Sequence, residues 1–162
     1  MALTGKLVKF NYNLNTKAMM IYESDIMKVQ YVAAKNQIEL TCTGAVSSKD
    51  LKSCYRKALV FAKENNIKHW LFDFSRNYEL SENDQAWLNT SFFPSLMIAL
   101  GSDNYIGMVV PKLAYRKMFQ EAGQIGMQTY NSFIKLKTFC SGPKATRWLG
   151  TQTKADTYYY SL

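Results

Sequence analysis

Ile67-Lys68-His69-Trp70-Leu71-Phe72-Asp73-Phe74 decides how the chain folds, because this apolar run turns sharply polar at Ser75-Arg76-Asn77. Alternate residues are apolar on both sides: Trp70, Phe72 and Phe74 on one, His69 and Leu71 on the other. A strand that meets water on neither face reads in this way, so it belongs in the middle of a sheet covered on two sides.

Working outward toward the C-terminus, Ser81-Glu82-Asn83-Asp84 places a hydroxyl three residues before a carboxylate. That pattern satisfies free N–H groups at a helix start, and it predicts a second helix beginning near Ser81. Pro94 suits a first turn rather than a helix interior, so a kink or restart is expected near Phe92-Phe93, with a further piece to Leu100 stopped by Gly101. Trp70 and Trp87 should both be largely buried where helix meets sheet. Tyr105 to Val110 reads as another central strand, and Pro111 opens a third helix through Ala122. Phe133 to Phe139 alternates with Lys135 and Lys137 on one side, as an edge strand would. Ser141-Gly142-Pro143 starts a short last helix carrying Ala145, Trp148 and Leu149.

Working back from the central strand, Ser47 and Asp50 repeat the capping pattern. Leu51, Cys54, Tyr55, Ala58 and Leu59 recur at helical spacing, and Asn65-Asn66 makes a stop. Before that helix, Val29 to Val32 and Ile38 to Thr43 form a hairpin whose link contains Asn36, a residue that tolerates a left-handed turn. Glu39, Thr41 and Thr43 alternate outward, which places the second hairpin strand toward a sheet edge. The sum is a single α/β domain with a mixed five-stranded sheet: an N-terminal hairpin, then strand–helix units. Residues 1–19 read as a basic leader and 151–162 as a tyrosine-rich tail.

At 162 residues and 48% hydrophobic, one core suffices to bury about 70% of the unfolded surface. No apolar run approaches the roughly 18 residues of a membrane span, and Met1 to Lys9 lacks a signal-peptide core, so a cytoplasmic protein without membrane insertion is expected. Cys42, Cys54 and Cys140 are odd in number and widely spaced, which indicates free thiols rather than a disulfide framework or a zinc site. The net charge is +8, of which +6 falls after residue 110, where 8 Lys and Arg face 2 Asp and Glu. That basic third permits contact with nucleic acid through Lys112, Arg116, Lys117, Lys135, Lys137, Lys144, Arg147 and Lys154. A solvated basic surface is the favoured reading.

Several further stretches, Ile21-Tyr22-Glu23-Ser24, Gly44 with Val46-Ser47-Ser48, Trp70-Leu71-Phe72-Asp73, Asp84-Gln85-Ala86-Trp87 with Pro94, and Ala145 to Leu149, fit one pattern. Over residues 20–150 the chain resembles the SpoIIAA-like, STAS-related family of small bacterial α/β domains. The resemblance implies that fold and a regulatory rather than catalytic role. It also implies that Ser81 stands where the switch subgroup carries its regulated serine, although that subgroup's Asp-Ser-x-Gly is replaced here by Ser75-Arg76-Asn77-Tyr78-Glu79-Leu80-Ser81.

For chemistry, His69 is the single histidine and lies inside a strand with no Ser or Cys partner at a suitable spacing, so an enzyme is not expected. No cofactor and no metal is expected either. Asp73 and Ser75 stand at the carboxyl end of the central strand, where open α/β sheets often bind ligands, with Arg76 as an anion-binding neighbour. The plainer reading has Asp73 holding local backbone amides in a turn. Two function classes follow. One is a non-catalytic regulatory or protein-interaction domain with a protein partner; the other is a binder of a small apolar or anionic ligand, in a pocket between helix two and the sheet lined by Phe92, Phe93, Leu96 and Met97.

Overall fold

The computed structural model describes residues 18–76 and 80–159, with 153–159 described by backbone alone. Its strands are β1 (Ala18–Glu23), β2 (Met27–Val32), β3 (Gln37–Cys42), β4 (His69–Asp73), β5 (Asn104–Val109), β6 (Gln128–Tyr130) and β7 (Ile134–Phe139). They form one sheet in the order β1-β2-β3-β4-β5-β7-β6. β3, β4, β5 and β7 run parallel, whereas β1 and β2 at one end and β6 at the other run antiparallel to their neighbours.

β4 is the central strand that its sequence demands, with Leu71 in register between Glu39 and Gly107. Trp70 and Phe72 are fully buried and Phe74 nearly so. The hairpin of β2 and β3 also forms as read, and Asn36 takes φ 48° and ψ 50° at its turn.

The five-stranded count is corrected to seven, the additions being β1 and β6. A bulge between Met20 and Tyr22 breaks the alternation of β1, and β6 is too short to show a period. Two placements change in consequence. β3, expected toward an edge, lies third from it with β1 and β2 outside, and β7 is covered by β6, so Lys135 and Lys137 do not guard an edge. The last helix is also longer than read, running from Gly142 through Tyr159 into the tail. Residues 1–17 of the leader and 160–162 of the tail lie outside the described residues.

The described helices are α1 (Ser48–Asn65), α2 (Glu82–Trp87), α3 (Phe93–Leu100), α4 (Lys112–Ala122) and α5 (Gly142–Tyr159). Ser47 and Ser81 cap α1 and α2, their side-chain oxygens each accepting a backbone N–H three residues on at 3.1 Å. Asn66 ends α1 in the left-handed conformation. Between α2 and α3 the chain makes a π turn over Leu88–Phe92, in which the Phe93 N–H donates to the Leu88 carbonyl. Pro94 explains the widening: it has no N–H, and its ring crowds the carbonyl four residues back.

α1, α2 and α3 close the Trp70 face of the sheet. Tyr55, Phe72, Trp70 and Phe92 meet there mainly edge to face, with Tyr55 and Phe92 4.7 Å apart between centroids. Trp87 packs on the same cluster beside Tyr55 and Phe92 and is partly covered, with Lys52 and Arg56 of α1 over its ring. α5 closes part of the other face, where Ala145 and Leu149 pack with Leu71, Tyr105 and Val109. Gly107 of β5 lies under this contact, where a methyl would stand at ordinary van der Waals distance from Leu149 Cδ1 and Ala145 Cβ, 3.4 and 3.5 Å.

Candidate functional site

Asp73 ends β4 with its carboxylate turned to its own chain. Its Oδ1 accepts the Ser75 N–H at 2.9 Å, so the side chain braces the turn that Ser75 and Arg76 make. Both of those residues are exposed. Ser81 is exposed too, and its Oγ is engaged as the cap of α2, a helix of 6 residues with Glu82 and Asp84 in its first turn. No described hydrogen bond or ion pair joins Asp73, Ser75 or Arg76 to Ser81. Residues 77–79 between them lie outside the described residues.

The residues read as a pocket lining behave as core. Phe92 and Leu96 are buried, and Phe92 lies within 6.4 Å of Tyr55, Trp70, Phe72 and Trp87 between ring centroids. Phe93 and Met97 pack half-buried against the same cluster. His69 lies beside Tyr105, ring centroids 5.1 Å apart. Lys135 and Lys137 are half-buried, with their ammonium groups 5.5 and 5.4 Å from the ring centroids of Tyr105 and Phe139. Their cations are held against the sheet face by π attraction rather than projected as a row.

Among the described residues no group of three or more His, Cys, Asp or Glu comes together that could hold a metal. No described helix is long and apolar enough to cross a membrane. Cys42 and Cys54 are buried, and Cys140 is partly exposed. Burial pushes the Cys42 thiol up, and burial followed by the charge of Asp50 pushes Cys54 far up, so neither forms the thiolate a nucleophile needs.

A feature that no sequence pattern announces lies on the flank where β1 meets α1. Ile21, Arg56, Lys57, Val60, Phe61 and Glu64 line an open groove of about 360 Å³. The bulge turns both Ile21 and Tyr22 toward the core side under α1. The two elements are tied at one end, because the hydroxyls of Tyr22 and Ser24 both donate to the carboxylate of Asp50 in the first turn of α1, the latter at 2.9 Å. Lys57 lies 4.9 Å over the Tyr22 ring, while Arg56 and Lys52 stand 5.6 and 5.9 Å from the Trp87 ring. These three cations have aromatic neighbours, and no described ion pair joins them to a carboxylate.

Sequence signals for this flank are faint. Val60 and Glu64 sit at ordinary solvent positions of α1, and only the placement of β1 beside them makes a groove. No family model, curated protein or solved structure matches the chain.

Proposed function

We propose that the chain is a non-catalytic regulatory or protein-interaction domain acting in the cytoplasm. One observation carries this reading: large apolar side chains stand in water on the helices and their connections, on a chain with a surplus of positive charge. Val60 is 57% exposed, Ile98 87%, Leu113 78% and Ile125 83%. Side chains of this size that stand in water offer a partner apolar surface to bury. Kinship with SpoIIAA-like, STAS-related domains belongs to the same proposal. It is supported by a hairpin feeding strand–helix units, by the cap serines at 47 and 81, and by the helix restart at Pro94.

A small apolar or anionic ligand between helix two and the sheet is the other reading. Such a ligand would have to displace the rings of Phe92, Trp70 and Tyr55. The test is an affinity capture from the native cell, using the full chain and a variant carrying Val60→Asp, Ile98→Asp, Leu113→Asp and Ile125→Asp. A partner retained by the parent chain and lost from the variant is expected. Recovery of the same proteins by both, or of a bound small molecule in their place, would overturn the reading.

A further inference from the structure

β1 is an edge strand of six residues whose outward backbone N–H and C=O groups have no partner among the described residues. Such an edge is a ready template for one more strand. The groove borders it, so a strand added along β1 would lay alternate side chains against Ile21, Val60 and Phe61. Period-two side chains and a half-open apolar floor match one another.

The charge around the floor selects the occupant. Arg56 and Lys57 line the groove against Glu64, its single lining carboxylate; beyond the lining, Glu23 at the end of β1 stands in register with Lys28, and Lys52 and Lys63 add positive charge to α1. The Asp50 carboxylate is already engaged by Tyr22 and Ser24. A second copy of this chain brings the same surplus of positive charge, +8 overall, and would be repelled. We infer that β1 and the α1 groove bind an extended, acidic segment of a partner protein, one that alternates carboxylates with aliphatic residues and adds to the sheet as a strand beside β1. The apolar set fills the groove floor while the carboxylates meet Arg56 and Lys57. The bulge at Met20 and Tyr22 shortens the pairing, so affinity is moderate and salt-sensitive. This inference rests on the protein-interaction reading and assigns it a site and a partner chemistry.

The experiment selects a displayed library of random linear peptides on the immobilised full chain, then measures the enriched sequences as synthetic labelled peptides. Enrichment of acidic sequences with alternating aliphatic residues is expected. Their binding should weaken by more than about tenfold in Val60→Glu and in Arg56→Glu, and should be unchanged in Thr129→Glu, an exposed position on β6. Because Val60 and Arg56 are exposed, both variants should fold, which an unaltered urea midpoint checks. The inference is overturned if no peptide is enriched, if the enriched peptides are basic, or if Val60→Glu leaves binding intact. It is also overturned if the chain self-associates and Val60→Glu abolishes that association, since the groove then belongs to a second copy. A partner captured from cells whose binding ignores Val60→Glu would remove this site while leaving the interaction reading in place.

Discussion

The two edges of the sheet are built differently. At one end β6 stops after three residues, and short edges of this kind give an incoming strand little to pair with. At the other end β1 runs for six residues, is tied to α1 through Asp50, and borders an apolar groove rimmed by cations. An edge left long and flanked by an open floor is suited to docking, whereas one cut short is protected. The proposed recognition therefore sits on the α1 side of the molecule, at β1.

The largest effect that bears on this contrast should come from removing what seats α1. Tyr55 is fully buried against Phe72 and Phe92, and Tyr55→Ala should cost about 3 to 5 kcal/mol. A chemical denaturation curve measures it, and a loss under about 1 kcal/mol would mean that α1 is not the rigid wall described.

The next effect isolates the tie itself. Asp50→Ala leaves the Tyr22 and Ser24 hydroxyls without their acceptor and removes hydrogen bonds to a charged group, each worth about 1.5 to 3 kcal/mol. Besides lowering stability, it should loosen β1 selectively, seen as faster amide exchange over residues 18–23 with no change at β6. Equal acceleration at both edges would erase the distinction.

Thiol titration sharpens the comparison by position. Cys54 lies in α1 and Cys140 just past β7. Burial first, and the Asp50 charge second, raise the folded-state value for Cys54, and burial raises Cys42. The unfolded chain ionises its thiols near about 8.5. The stability these buried thiols confer is therefore intact below that pH and is lost as pH rises toward their folded values. The urea midpoint should fall above about pH 8.5, at up to about 1.4 kcal/mol per pH unit for each thiol, and less steeply in Cys54→Ala. In the native protein a thiol reagent should modify Cys140 alone at neutral pH.

The smallest stability effect should come from the groove floor. Val60→Glu replaces an exposed side chain and should shift stability by no more than about 0.5 kcal/mol. A large destabilisation would show that Val60 belongs to the core and not to an open surface.

How much of this is readable in the sequence varies with the signal each element leaves. β4 is legible because two-sided burial writes an unbroken apolar run, and the hairpin because Asn36 marks a left-handed turn between two strands. The helix starts after Ser47 and Ser81 and the interruption near Pro94 are legible as chemistry, from a hydroxyl that caps and a residue without N–H. β1 is not, because Ala18-Met19-Met20-Ile21-Tyr22-Glu23 carries a bulge that breaks its period, and the three residues of β6 are too few to show one. Asp73 is legible as a turn brace and acts as one. The groove is illegible, since it exists only where Ile21 of β1 comes beside Val60 and Phe61 of α1, a neighbourhood that no local pattern records.

The most direct test of recognition at β1 is amide hydrogen exchange on the full chain, with and without a synthetic peptide that alternates glutamate with valine. In the free protein the outward amides of residues 18–23 should exchange much faster than those of β4, and the peptide should slow them while leaving residues 128–130 unchanged. Protection gained at β6 or around Asp73 instead, or β1 amides already as slow as those of β4 before any peptide is added, would contradict the assignment of β1 as the open docking edge.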